Sequence, residues 1–252
     1  MTAPLFWVDA GALAGAVPGS SVFVEGAEAR HAVTVRRIAV GEQVIVADGD
    51  GAAVVGHVES ADPAALVVRV EARRDEPAPT LRLVIVQALA KGGRDESAVE
   101  AATELGIDEV IPWEAERSIV RWKGPKVAKA HQKWVNVVVA AAKQSRRART
   151  PEVAQPTSTK ELVHRVADSA ATLVLHEDAT EPLAGATLPA TGDVLLVVGP
   201  EGGISPAEVE ALVAAGARPV RLGPGVLRSS TAGPAAIAVL SAASRWTAVP
   251  GR

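Results

Sequence analysis

Two apolar runs in this chain break into glycine-proline turns: LLVVGPEGGIS, residues 195–205, and VRLGPGVLRSST, residues 220–231. Glycine lets a ligand approach the backbone closely, and each turn is followed by helix-compatible sequence. The first carries Glu201 and leads into Ser205, Pro206 and Glu208, which read as the N-cap, N1 and N3 residues of a capping box. A phosphate is the usual guest at such a helix start. Here the spacing is neither G-x-G-x-x-G nor G-K-[ST], and Glu201 would repel an anion, so a cationic or neutral ligand fits better. One turn of this kind is as easily a plain strand-to-helix connection; two on consecutive strands favour a ligand.

The elements that must carry these turns alternate. From residue 81 onward, LRLVIVQALA reads as a buried strand, RDESAVEAATELG as a helix ending at Gly106, DEVIPW as a strand and residues 126–145 as a longer helix. ELVHRVADSA then reads as helix, ATLVLHE and DVLLVVG as strands, SPAEVEALVAAG as helix, RPVRL as strand and residues 231–246 as a last helix. Such alternation predicts an α/β fold with a mostly parallel sheet and helices on both faces, whose ligands bind at the carboxyl ends of the strands. Residues 5–75 differ: LFWVDA, SVFVEG, EQVIVADGDGAAVVGHVES and ALVVRVEARR are short strands, with Asp48 to Gly51 as a hairpin turn. The charged, proline-containing RRDEPAPT, residues 73–80, reads as a linker between a β-rich domain at 1–75 and an α/β domain at 76–252.

A chain of 252 residues with 48% hydrophobic and 22% charged residues can bury a large core and is expected to be globular. It has no cysteine, which excludes disulfides, thiolate catalysis and cysteine zinc sites. Neither a signal peptide nor an apolar run of about 18 residues is evident, so a soluble, cytoplasmic protein without membrane contact is expected. His31, His57, His131, His164 and His176 have no metal-ligand spacing, and no metal is expected.

Net charge is only −3, yet between Arg117 and Arg149 ten Lys and Arg residues follow one another without an Asp or Glu. Charge runs are usually solvated faces with counter-charges elsewhere. One this one-sided, with Trp122 and Trp134 interleaved as stacking faces and QSRRART as a cluster of planar guanidinium forks, favours a polyanion partner.

VVGPEGGISPAEVEAL followed by VRLGPGVLRSSTAG resembles the cofactor motifs of the SPOUT methyltransferases, and more closely those of the RsmE-type 16S ribosomal RNA uridine-N3 methyltransferases. ALAKGGRDESAVEAATELGIDEVIPWEAERS, AAKQSRRARTPEV and HAVTVRRIAVGEQVIVADGDG resemble further blocks of that family in the same order, so the similarity spans nearly the whole chain. The resemblance implies a SPOUT-type trefoil-knotted sheet behind a small PUA-like β-barrel, in a homodimer acting on 16S ribosomal RNA within the small subunit. It implies S-adenosylmethionine as cofactor, in a cleft lined by Leu175, His176 and Glu177, by Val198, Gly199, Pro200, Glu201, Gly202 and Gly203, and by Leu222, Gly223, Val226 and Leu227. The cofactor's positive charge would then answer Glu201. Arg36, Arg37, Arg121, Lys123, Arg146, Arg147 and Arg149 become the RNA-binding candidates.

Removing the uridine N3 proton spreads negative charge onto O2 and O4, which a fixed cation would stabilise. Arg228 is the first catalytic candidate, with Ser230 and Thr231, beside Ser229, as hydrogen-bond donors to the base. No side chain stands out as general base, and a structural arginine is nearly as good a reading of Arg228. Many members have L-R-x-E-T-A where this chain has Leu227 to Ala232, so Ser230 replaces a glutamate. Three rival readings stay open: an RNA-binding assembly factor without catalysis, a SPOUT methyltransferase acting on another nucleotide, and a nucleotide-binding enzyme using the first turn for phosphate.

Overall fold

In the computed structural model, which describes residues 3–246, the chain divides into two compact units. One comprises residues 1–78 and 142–150, the other 79–141 and 151–252.

The first unit is built from β1 (Leu5–Trp7), β2 (Ser21–Glu25), the short helix α1 (Gly26–Arg30) running into a π-helical turn at His31–Val35, β3 (Gln43–Ala47), β4 (Ala52–Ala61) and β5 (Ala65–Asp75). The sheet order is β1-β3-β4-β5-β2, with β1 parallel to β3 and the other pairs antiparallel. Alternation dictates what is buried: Ala52, Val54, Gly56 and Val58 of β4 face inward, against Phe6, Leu13, Val24, Val46, Leu66 and Val68. Gly56 lies at a bulge against β5, where a Cβ would come within 2.1 Å of the Arg69 carbonyl oxygen, so no other residue fits. The helical segment at residues 26–35 is absent from the strand-only expectation for this region.

The linker expectation is corrected at its start. Arg73, Arg74 and Asp75 belong to β5, and Arg73 is held by Asp75 through Nε and Nη2 and by the Ala16 carbonyl. Residues 142–150 return to this unit, which a linear reading of the chain does not anticipate. Gly51 N–H donates to Ala148 O at 3.1 Å and Thr150 N–H to Gly49 O at 2.9 Å, while Arg149 pairs with Asp50 and Lys143 with Glu28.

The second unit contains β6 (Leu81–Ala88), α2 (Arg94–Glu104), β7 (Glu109–Glu114), α3 (Lys126–Gln144, whose last residues count with the first unit), β8 (Glu152–Val153), β9 (Thr157–Ser158), α4 (Thr159–Ala167), β10 (Ala171–Leu175), β11 (Gly192–Val198), α5 (Pro206–Ala214), β12 (Arg218–Val220) and α6 (Ser229–Ser244). Every strand pair is parallel, in the order β12-β10-β11-β6-β7-β8, with β9 also on β7. A parallel sheet buried on both faces needs continuous apolar strands, and β6 and β11 supply them. Leu83, Ile85, Leu196 and Val198 face a core with α2, α3 and α6; Val84, Val86, Leu195 and Val197 face one with α4 and α5. Helices thus cover both faces, as alternation in the sequence predicts. No helix among the described residues is long and apolar enough to cross a membrane.

Trp122 and Trp134 correct the stacking expectation. They are 9% and 1% exposed and pack edge to face on each other, with ring centroids 5.4 Å apart, inside the α2/α3/α6 core.

Candidate functional site

Because β11, β10 and β12 are parallel neighbours, the three segments expected to line one cleft leave the sheet side by side at its carboxyl edge. The turn after β11 is narrow. A Cβ on Gly199 would lie 2.7 Å from Ile204 Cγ1, and Gly203, at φ +73°, donates its N–H to Pro200 O at 2.9 Å. Beyond it Ser205 caps α5, with both halves of the capping box formed by Ser205 and Glu208. Ser205 Oγ also donates to Glu116 at 2.6 Å, and buried Glu208 accepts from Glu116 N–H at 2.8 Å and Thr159 Oγ1 at 2.7 Å. The capping box therefore does more than start a helix: it fastens the turn to the loop after β7.

Glu201 has a partner that the sequence does not reveal. Its Oε1 accepts from Arg94 Nη1 at 2.8 Å and from Lys91 N–H at 3.3 Å. Burial pushes its carboxyl upward, but hydrogen bonds from its own N–H, Arg94 and Lys91 outweigh this and hold it below the usual carboxylate range. A lowered pKa means that this contribution is present above the unfolded value and is lost as pH falls through the folded one. On the far side of the turn, Gly202 O accepts from Arg117 Nη1 at 3.2 Å, and a Cβ on Gly202 would meet Arg117 Cβ at 3.2 Å and its carbonyl oxygen at 3.3 Å.

The end of β10 is tied to β12: His176 N–H donates to Val220 O at 3.1 Å, and its Nδ1 accepts from Asp178 N–H at 3.2 Å. Leu175 and Leu222 pack on the core while Glu177 is exposed. After β12, Arg221 donates to the carbonyls of Gly223 and Pro224 at 2.9 and 3.0 Å. The next residues are open: nothing lies within 4 Å of a Cβ built on Gly223 or Gly225, and Val226 and Leu227 are 78% and 42% exposed.

Arg228 ends this turn as the N-cap residue of α6, its carbonyl accepting from Thr231 N–H at 2.8 Å and Ala232 N–H at 2.9 Å. Its side chain is exposed and, among the described residues, makes no hydrogen bond or ion pair. The helix starts at Ser229, two residues before the expected 231, which puts Ser229, Ser230 and Thr231 in its first turn. Ser229 Oγ is buried without a partner, Ser230 is half-buried and Thr231 exposed. Pro234 has no N–H to offer the Ser230 carbonyl, so the usual i→i−4 hydrogen bond is missing beside these hydroxyls.

Sequence reasoning misses Gln87, Lys91 and Arg94. Gln87 is fully buried at the carboxyl end of β6, donates to Ala88 O at 3.1 Å and leaves its Oε1 unpaired near Gly233 of α6. Its one signal is a lone amide in an apolar run.

The basic stretch divides. Lys133, Lys143 and Arg149 have carboxylate partners in Glu96, Glu28 and Asp50, as the solvated-face alternative anticipates. Arg121 donates to the carbonyls of Glu114 and Glu116. Arg36, Arg37, Lys123 and Arg146 are exposed, and no ion pair involves them among the described residues. Arg147 is half-buried.

A family profile described as an RNA methyltransferase domain matches residues 76–241, and one described as an RNA methyltransferase PUA domain matches residues 24–71. The Mycobacterium bovis protein named ribosomal RNA small subunit methyltransferase E is 46% identical over 98% of this chain and 95% of its own length. The chain belongs to that family. Its members' fold recurs in a Legionella pneumophila protein solved with the bound cofactor SAM, 29% identical with a TM-score of 0.81 over 97% of this chain and 99% of the other. The small subunit methyltransferase E of Neisseria gonorrhoeae, bound to S-adenosyl methionine, has the same fold at 24% identity, with a TM-score of 0.84 over 96% of this chain and 98% of the other. A mostly parallel α/β methyltransferase architecture with an N-terminal PUA domain, expected from the motifs, is thus the family fold.

Proposed function

We propose that this protein transfers a methyl group from S-adenosylmethionine to N3 of a uridine in 16S ribosomal RNA of the small subunit. The observation that carries the reading is that two glycine turns leave the same carboxyl edge of the sheet, after β11 and after β12 on either side of β10, the second ending at Arg228, in a chain of the methyltransferase E family. The residues suit the cofactor. Gly223 and Gly225 leave backbone accessible, exposed Val226 and Leu227 offer apolar contact to an adenine, and Ser229 Oγ and Gln87 Oε1 are polar atoms awaiting partners. The cofactor supplies an already activated methyl on its sulfonium.

The chain's own work is then alignment and charge stabilisation. The base must leave its stack to reach the cleft. Arg228, held by its backbone at the N-cap, presents a guanidinium toward the O2 and O4 charge that appears as the N3 proton leaves; Ser230 and Thr231 add donors. The trefoil knot, a homodimer completing the cleft and a cytoplasmic setting belong to this reading. Mapping modified nucleosides in ribosomal RNA from a strain lacking the protein tests it: one missing 3-methyluridine in 16S RNA is expected, and an unchanged map removes the assignment.

Gly202→Val is expected to weaken cofactor binding by about tenfold, because overpacking strains the turn. The added side chain meets Arg117, whose Cβ and carbonyl oxygen lie 3.2 and 3.3 Å from a Cβ at this position, and displaces the turn. Calorimetry with unchanged affinity would dissociate the turn from the cofactor.

For RNA, alanine at Arg36, Arg37 and Arg146 is expected to flatten the salt dependence of binding by roughly one unit of slope for each phosphate no longer neutralised, and to spare cofactor affinity. Arg149→Ala instead removes the pairing with Asp50 and Glu76 O, so its effect falls on the first unit's stability. An unchanged slope in the triple variant returns these arginines to ordinary surface.

A further inference from the structure

Between β6 and α2 the chain makes the short loop Leu89 to Gly93, containing two consecutive left-handed glycines, Gly92 at φ +68° and Gly93 at φ +73°. Such a pair lets the backbone reverse within one step, and it aims the Lys91 N–H and the first side chain of α2, Arg94, at the same acceptor, Glu201. The loop is pinned from behind as well. Buried Asp95 accepts from Ala90 N–H at 3.1 Å and from Glu96 N–H at 2.9 Å. The loop thus has a fixed inner anchor at Asp95 and an outer one at Glu201, whose side chain is only 20% exposed, against 41% for Arg94.

Glu201 lies on the turn assigned above to the cofactor, and its charge is already met by Arg94. A carboxylate reserved as counter-charge for a cationic ligand has no need of a guanidinium at 2.8 Å.

We infer that Arg94 and Glu201 form a latch that fastens the Lys91–Gly93 loop across the cofactor turn, making both of them positioning residues and relieving Glu201 of any role as counter-charge to the sulfonium. The inference rests on the cofactor reading for its consequence but not for its existence. In the ligand-free protein the latch fixes the loop. In the complex it fixes the Pro200–Gly203 backbone that the ligand meets, so its contribution is independent of ligand charge.

Two measurements test it. Amide exchange of residues 89–94 in the ligand-free protein is expected to become about fivefold faster in both Glu201→Ala and Arg94→Ala, no faster in the double variant, and slower again in the charge-swapped Arg94→Glu, Glu201→Arg protein. Unchanged exchange in both single variants overturns the latch, whether or not the protein binds S-adenosylmethionine. Calorimetry with S-adenosylmethionine and with its uncharged thioether product S-adenosylhomocysteine supplies the second. Both affinities are expected to fall by the same factor, about fivefold, in each single variant. A loss confined to the charged ligand in Glu201→Ala overturns the inference in favour of a counter-charge. Failure of the wild-type protein to bind either ligand would sink the cofactor reading alone, leaving the exchange result to decide the latch.

Discussion

Arg228→Ala is expected to lower the rate of methyl transfer by about 100-fold or more, the scale seen when a donor to transition-state charge is removed, with cofactor and RNA affinities changing little. The structure sharpens the reason. A structural arginine would be expected to have a partner, yet this guanidinium is exposed and makes no hydrogen bond or ion pair among the described residues, while its backbone is fixed as the N-cap of α6. It stands at the positive end of that helix, and the two charges reinforce each other toward an anion. Arg228→Lys should recover only part of the rate, since a point charge cannot reproduce the planar fork. Raising the pH should partly rescue the alanine variant, because more uridine is deprotonated in advance. Single-turnover transfer measured against pH, with sedimentation to expose any assembly defect, separates these outcomes. A wild-type rate in Arg228→Ala would move the search to Ser230 and Thr231.

Trp134→Ala is expected to destabilise the second unit by about 3–5 kcal/mol, the range for removing a buried indole. The side chain is 1% exposed and meets Trp122 edge to face in a core shared with Val99, Val138, Ile237 and Leu240. Removing it leaves a cavity between α3, α2 and α6, and α6 is the helix that begins at Arg228. Unfolding in urea should show an earlier midpoint with little change in slope. Trp134→Phe should recover much of the loss. Were Trp134 a stacking platform for bases, alanine would weaken RNA binding without moving the midpoint, and that result would refute the core placement.

The second unit was largely legible in the sequence because its signals are local. Continuous apolar runs at β6 and β11, alternating with amphipathic helices, admit few arrangements other than a parallel sheet covered on both faces. The Ser205–Glu208 capping box was readable for the same reason, since both partners lie within one turn of chain. The glycine turns signalled backbone accessibility, and the motif resemblance named the ligand class.

What the sequence could not contain were meetings between distant residues. Arg94 and Glu201 lie 107 positions apart, and only the adjacency of the β6 and β11 ends brings them together. In linear order Glu201 is an unanswered charge that asks for a cationic ligand; in space it is already answered. Trp122 and Trp134 show the same limit. Interleaved with lysines they suggest stacking faces, but α3 turns Trp134 to its core side, the loop before it brings Trp122 against that indole, and burial at about 25 cal/mol per Å2 of apolar surface favours both inside. The run of ten cations is likewise uninterrupted only along the chain, for Glu28, Asp50 and Glu96 reach it from other elements. Sequence determines which local elements form and which faces they must bury; tertiary structure alone decides which charges meet, because pairing depends on distances that chain order does not encode.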